Sequence, residues 1–314
     1  MKKLLCTGCL GFIGSHFVKY TLDNFKDVYV VGVDKDDDAK ALRRLDGYLD
    51  NPNFNLIRQD LCGDISELLE GVDIVVHFAS KTFVDHSFRS PDSHFKNTVG
   101  GTFNLLKQVV QFKPLMVQIS TDEVYGSLEV GEFTENSPLN PTNPYSACKA
   151  SADMLVVGML TGHKLPYIIT RTENNYGTYQ HAQKVLPVFV KKVMEGEPLP
   201  VYGDGKHKRM WLHVQDHCSA IWFLINRKAR GIYHIAGNKE LENLELANKI
   251  MQILEKPDGE ITFIPDENIR PTHDRRYAID ARKLERMGWS ASIEVDEGMD
   301  EVVNWFAENQ WWMK

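Results

Sequence analysis

The chain has 314 residues, 43% of them hydrophobic and 25% charged, and carries a net charge of −7 at pH 7. That length supports one large domain or two small ones, with a core that needs neither metal nor disulfide staples. The acidic balance argues against nucleic acid as the main partner, and no run of about 18 apolar residues offers a membrane span.

The N-terminal apolar stretch is short and runs at once into glycines, so a signal peptide is not expected. Five scattered cysteines, Cys6, Cys9, Cys62, Cys148 and Cys218, read as free thiols in a reducing, cytoplasmic compartment. Lys2–Thr7 has the form of a buried strand, Phe12–Leu22 has helical periodicity, and Val28–Val33 is a second β-branched run. Between the first strand and the helix lie Gly8, Gly11 and Gly14, spaced G-x-x-G-x-x-G. Such a turn lets backbone amides approach a pyrophosphate at a helix N-terminus, with Phe12 and Ile13 between the last two glycines. Cys6 and Cys9 also match the C-x-x-C redox spacing, but those positions are better used by the turn.

Asp34 lies at the end of the second strand, twenty residues past Gly14, where a carboxylate can accept from a ribose 2′-hydroxyl. Asp36, Asp37 and Asp38 follow and would repel a 2′-phosphate, so NAD is expected over NADP; Lys35 is the one dissenting charge. Phe54–Ile57 and Ile74–Phe78 read as further strands, and Asp60, after the first of these, can meet an adenine amine. Asp92–Phe112 and Tyr145–Gly162 read as long helices, with the strand Leu115–Ser120 between them and Tyr167–Thr170 after. The alternation predicts an α/β fold: a Rossmann-type, doubly wound parallel sheet.

Thr121-Asp122-Glu123 closes the strand Leu115–Ser120, at the end of a strand where open α/β sheets bind ligands, and paired carboxylates there suggest acid–base work. A proline- and asparagine-rich loop, 136–144, leads into Tyr145-Ser146-Ala147-Cys148-Lys149. This Y-x-x-x-K puts a phenol and an ammonium on one helix face, where the ammonium is expected to lower the phenol's pKa. After Asn174 the texture changes to prolines, aromatics and basic clusters. The expected division is therefore an NAD-binding domain over 1–173 and a mainly substrate-binding lobe over 174–314, with some later segments returning to the main sheet. His213 and His217 stand at i,i+4, but no glutamate follows His213 as in the zinc motif H-E-x-x-H, and no metal is expected.

Taken together, the glycine turn, Tyr145 with Lys149, and Thr121-Asp122-Glu123 resemble the extended short-chain dehydrogenase/reductases, and more narrowly the dTDP-glucose 4,6-dehydratases. The resemblance covers essentially the whole chain. It continues in Asn174-Asn175-Tyr176-Gly177, Lys184, Pro200-Val201-Tyr202-Gly203, Arg209 and Arg270-Pro271-Thr272-His273. It implies an NAD-dependent lyase that oxidises a nucleotide-linked hexose at C4, eliminates water across C5–C6 and returns the hydride to C6. Tyr145, aided by Lys149, would take the C4-hydroxyl proton; Glu123 the C5 proton; Asp122 would protonate the departing hydroxyl; and Thr121 would bond near the C4 oxygen. The same resemblance implies a cofactor set completed by Leu61, Phe78, Ala79, Ser80, Asn97 and Asn175. It also implies a substrate set of Lys81, Thr82, Phe83, Asn174, Lys184, Val185, Pro200, Tyr202, Arg209, Asn238, Arg270 and His273, and a homodimer paired through the two long helices.

The pattern is broken in places. Lys81 stands where glutamate is usual, Phe83 where histidine is usual, and the segment after Asp34 is short and acidic, without the usual Tyr-Ala-Gly loop. These departures bear on which sugar and base are accepted. UDP-glucose, or 4-epimerase or decarboxylase chemistry of the same family, is the alternative.

Overall fold

The computed structural model describes residues 1–36, 38–265, 271 and 273–314. The first half contributes strands β1 (Lys2–Thr7), β2 (Val28–Asp34), β3 (Phe54–Arg58), β4 (Ile74–His77), β5 (Leu115–Thr121) and β6 (Tyr167–Thr172). The second contributes β7 (Asn174–Tyr176), β8 (Leu199–Tyr202), β9 (Lys208–His213), β10 (Gly231–Ile235), β11 (Lys239–Glu242) and β12 (Ile261–Ile264). The main sheet runs β10-β6-β5-β4-β1-β2-β3, and each neighbouring pair is parallel. All carboxyl ends therefore share one edge, and the strand order reverses beside β1, where open sheets leave a crevice.

Parallel strands are buried on both faces, which is why β1 and β4 read as nearly unbroken apolar runs. One face packs under the helices Phe12–Asn24 and Val214–Asn226, with Leu4, Phe17 and Trp222 in its core. Trp222 stacks on Phe25 at 4.0 Å between ring centroids and donates its indole N–H to Thr21 Oγ1 at 2.8 Å. The other face packs Leu5, Val75 and Leu106 with Val156 of the helix Pro144–Gly162. β10 lies well past residue 173 in sequence yet completes the main sheet beside β6. Two small sheets, β11-β9-β7 and β12-β8, are built from the second half, with their own core around Phe189, Ile250, Val302 and Phe306.

The expected helix Asp92–Phe112 is instead three consecutive segments: Pro91–His94, a π-helical turn Phe95–Gly100, and Gly101–Phe112. The two adjacent glycines are weak helix formers, and the Asn97 side chain donates to Ser93 O at 2.7 Å inside the widened turn. The helix Pro144–Gly162 starts where the loop composition predicts. Asn143 caps it by accepting from Ser146 N at 2.9 Å, and proline occupies the first turn.

Behind this helix lies a buried polar chain. Arg171 Nε donates to Asp153 Oδ2 at 3.0 Å and Nη1 donates to the Tyr125 hydroxyl at 2.6 Å. The Tyr125 hydroxyl in turn lies 2.7 Å from His234 Nε2, and His234 Nδ1 lies 3.0 Å from Asp280 O. A phenol receiving from arginine donates onward, which makes His234 a neutral ring carrying its proton on Nδ1. Removing one partner strands a buried charge. Asp153→Ala is accordingly expected to lower unfolding free energy by about 3–5 kcal/mol, read from urea melts; a loss below about 1 kcal/mol would contradict the pairing.

Candidate active site

A cavity of about 740 Å³ opens along the carboxyl edge of the sheet. At its inner end β1 turns through Gly8, whose φ of +72° suits glycine; an added Cβ would lie 2.7 Å from Ala79 N. A Cβ on Gly14 would lie 2.2 Å from Gly8 O. The chain thus brings the start of the helix Phe12–Asn24 against β1 with no side chain between, and leaves Gly11, Phe12 and Ile13 on the wall. Asp34 fixes this turn by accepting from Leu10 N at 2.9 Å, and burial raises its pKa above the usual carboxylate value.

Lys35, the dissenting charge of the sequence, is tied down: its Nζ donates to Asn97 Oδ1 and lies 3.4 Å from Asp60 Oδ2. The backbone N–H of Cys62 is the main group lowering the Asp60 pKa, with Lys35 adding to it. Leu61, Phe78, Ala79, Ser80 and Asn97 all lie on the same wall. The π-helical turn carries Asn97 to it.

The chemical end is formed by β5 and the helix Pro144–Gly162. Thr121, Glu123, Tyr145 and Lys149 line the cavity together. Asp122 does not reach the wall; it is 2% exposed, behind Thr121, whose Oγ1 donates to Asp122 Oδ1 at 3.0 Å. Burial, and then the neighbouring Glu123 charge, push Asp122 up to about 7. Lys149 donates to Ile119 O at 2.5 Å, and burial brings it down to about 8. The sequence led us to expect the Lys149 ammonium to lower the Tyr145 phenol. The shift has the opposite sign: burial, then the charges of Glu123 and Asp122, raise it.

Asn174 and Asn175 close the cavity from β7. Asn175 Nδ2 donates to Glu173 O at 3.0 Å, and its Oδ1 lies 2.9 Å from His217 Nδ1. His213 has a separate task, capping the helix Val214–Asn226 by accepting from Gln215 N at 3.3 Å. Lys81, Thr82, Phe83 and Lys184 are on the wall as well; Lys184 Nζ donates to Thr82 O at 3.1 Å and sits 4.5 Å over the Phe83 ring.

Other expected substrate residues are not on that wall. Arg209 directs its guanidinium to Asp274 O at 2.8 Å and Arg275 O at 3.2 Å, 4.5 Å above the Tyr277 ring. Asn238 donates to Ile293 O at 3.2 Å. Tyr202 and His273 meet edge to face at 6.2 Å, Pro200 lies with Tyr202 on β8, and Val185 opens the helix Val185–Glu195. Arg270 lies outside the described residues.

Among the residues at or near the site that sequence reasoning missed, four carry charge or a titratable group. Arg44 and His181 are on the cavity wall, but a charge in a short acidic loop and an isolated histidine carry no motif. Tyr277 places its hydroxyl 2.7 Å from Asp274 Oδ2 and 3.4 Å from Glu123 Oε2; in sequence it is an aromatic at the end of a basic run, with no motif of its own. Glu173 is buried next to Asn174, with its carboxyl raised by burial and by Asp122, and is visible in sequence only as an acidic residue after a strand.

A glycine turn, a strand-end carboxylate, and a tyrosine and lysine one helical turn apart around one crevice define a short-chain dehydrogenase/reductase of the extended type. The chain belongs to the family described as GDP-mannose 4,6 dehydratase, whose pattern it matches over residues 5–302. It is 40% identical to the low-salt glycan biosynthesis protein Agl12 of Haloferax volcanii, over 96% of this chain and 98% of that protein. It is 38% identical to a dTDP-glucose 4,6-dehydratase of Streptomyces niveus, over 99% of this chain and 94% of that one. Among solved structures it resembles DesIV, a dTDP-glucose 4,6-dehydratase from Streptomyces venezuelae solved with NAD bound. That match has a TM-score of 0.94 and 36% identity and covers 99% of each chain.

The raised Asp122 pKa has a stability consequence. The carboxyl keeps its proton in the folded chain up to about pH 7, but in the unfolded chain only to its ordinary value of 3.8. Its contribution is whole below about pH 4, declines as pH rises, and is gone above about pH 7. Asp122→Asn removes the titration. The stability of this variant relative to the parent chain should therefore rise by a few kcal/mol between pH 4 and pH 8, measured by urea unfolding at both; a pH-independent difference would refute the shift.

Proposed function

We propose that the chain is an NAD-dependent nucleotide-sugar 4,6-dehydratase acting on dTDP-glucose or a closely related hexose nucleotide, and forming the 4-keto-6-deoxy sugar. The observation that carries this reading is the meeting of Thr121, Glu123, Tyr145 and Lys149 on one wall with the glycine turn, and with a proton-bearing Asp122 directly behind.

The residues suit the cofactor. The amides at the start of the helix Phe12–Asn24 suit a diphosphate. Asp34 keeps acceptor capacity for ribose hydroxyls, while Asp34 and Asp36 oppose a 2′-phosphate. Asn97 and Asn175 offer polar contacts further along the same wall. Bound NAD supplies the acceptor and donor of hydride at the sugar carbons, and a positive ring in its oxidised state.

The remaining work falls to this chain's own side chains. Tyr145, once ionised, takes the C4-hydroxyl proton, with Thr121 bonding near the same oxygen; Lys149 and the positive ring of the oxidised cofactor favour the phenolate against the burial and carboxylate charges that raise the phenol. Oxidation at C4 acidifies the C5 proton, which Glu123 takes. A single carboxylate cannot be base and acid in one elimination. Asp122, neutral up to about pH 7, holds the proton that the departing C6 hydroxyl needs, and the Thr121 hydroxyl, 3.0 Å from its Oδ1, stands between it and the cavity. Lys81, Thr82, Phe83, Asn174 and Lys184, on the cavity wall, bind the sugar nucleotide; the family resemblance extends the substrate set to Val185, Pro200, Tyr202, Arg209, Asn238, Arg270 and His273, of which the described ones lie off that wall.

In this reading residues 1–173 are mainly the NAD-binding domain and 174–314 mainly the sugar-nucleotide lobe. Two copies pair through the long helices, where Phe95, Phe103 and Met154 stand 61%, 46% and 47% exposed. Large apolar side chains exposed on these helices favour a partner. The unpaired state of all five cysteines agrees with a cytoplasmic setting.

Incubation with dTDP-glucose should give a 4-keto-6-deoxy product, detected by its absorbance in alkali, and a panel of UDP-, CDP- and GDP-hexoses fixes the nucleobase. A C4 epimer formed without loss of water would sink the reading. Glu123→Gln should stall elimination while still allowing C4 oxidation, seen as accumulating NADH absorbance; full-rate dehydration by that variant would remove Glu123 from the base role.

A further inference from the structure

Arg44 comes from the segment after β2 that departs from the family pattern, and the structure brings it into the cavity beside Leu10, Asp34 and Asp36. It is 8% exposed. Its Nη1 donates to Leu10 O at 2.9 Å and its Nε to Tyr179 O at 3.2 Å. Guanidinium carries five N–H groups, so three remain beyond these two bonds. The carbonyl of Leu10 belongs to the very turn whose amides face the diphosphate site.

A second element holds the guanidinium in place. Its Cζ lies 4.7 Å from the centroid of the Trp312 ring, within the range of a cation–π contact. Trp312 is fully buried and donates its indole N–H to Gln180 O at 2.7 Å, while Gln180 Nε2 donates to Asn175 O at 2.9 Å. The segment Gln310–Met313 therefore grips the cavity wall at two points, through Arg44 and through Gln180. Burial lowers the Arg44 pKa to about 10, and the carboxylates of Asp36, Asp34 and Asp38 partly offset it by favouring the charged form.

We propose that Arg44 is a further cofactor-binding residue whose guanidinium bonds the diphosphate of the dinucleotide, and that Trp312 is a positioning residue that holds it there. This rests on the reading of the cavity as a dinucleotide site. A donor-only planar fork suits phosphate oxygens, whereas the ribose hydroxyls already have the carboxylate of Asp34.

The test is binding, measured on the full chain freed of nucleotide with charcoal. The parent chain, Arg44→Met and Arg44→Lys are titrated with NAD, ADP-ribose and adenosine by calorimetry, at low and high salt, with melting temperatures alongside. Arg44→Met should weaken NAD and ADP-ribose about ten- to a hundredfold, leave adenosine within about twofold, and flatten the salt dependence. Arg44→Lys should fall between. Trp312→Leu should weaken NAD several-fold, Trp312→Phe should restore it, and the Arg44→Met/Trp312→Leu double variant should bind no worse than Arg44→Met alone. Equal weakening of adenosine and NAD would make Arg44 a strut and overturn the proposal, as would an unchanged NAD affinity in Arg44→Met. A parent chain that binds neither NAD nor ADP-ribose would overturn the dinucleotide reading itself.

Discussion

Everything at the site depends on one close approach of backbone to backbone. Gly8 sits at positive φ where any side chain would enter the chain at Ala79, and Gly14 lies against Gly8 itself. Three elements, β1, the first helix and the end of β4, can meet only because no Cβ intervenes. That contact aims a helix N-terminus into the crevice and sets the distance between it and the ends of β5 and β6. Asp34 then locks the turn through the Leu10 amide. The glycine turn and the carboxylate placed beside it are thus two consequences of the same packing.

The chemical end works by the opposite means, a concentration of charge withdrawn from water. Asp122, Glu123 and Glu173 crowd together beneath the strand ends, and the low-dielectric surroundings prevent all of them from ionising at once. Asp122 retains its proton, Tyr145 is held in its phenol form, and Lys149 is pulled toward neutrality. Two neighbouring carboxyls are thereby driven apart in character, one protonated and buried, the other on the cavity wall. That division is what an elimination demands of its acid and its base.

The elements that carry these groups were legible in the sequence because each has a local cause. β1, β2 and β4 each have an apolar centre, as strands buried on both faces must. Asn143 and Pro144 mark the start of the helix that holds Tyr145 and Lys149. The long helix before β5 was read as unbroken, since the signal of a π-helical turn is only a pair of glycines and an asparagine. The small sheets of the second half were not legible as such: β7 and β11 are three and four residues long, too short for periodicity to register. Arg44, His181, Tyr277 and Glu173 reach the site from separate loops and strand ends, and no spacing within the chain announces that meeting.

By itself the sequence determined the apolar strands, the glycine turn, the strand-end carboxylate, and the local pairs Thr121/Glu123 and Tyr145/Lys149. Each is fixed by residues within a few positions of one another, through backbone freedom, hydrophobic period or helix geometry. Only the tertiary structure decided the signs and the neighbours. It set the Asp122 proton and the raised Tyr145 phenol, because burial and charges from other strands outweigh the lysine one turn away. It turned Arg209 toward backbone carbonyls, because β9 lies beside the segment that supplies them. It carried Arg44 to the cavity wall under Trp312, a contact across 268 positions of sequence (312 − 44) that no local pattern encodes.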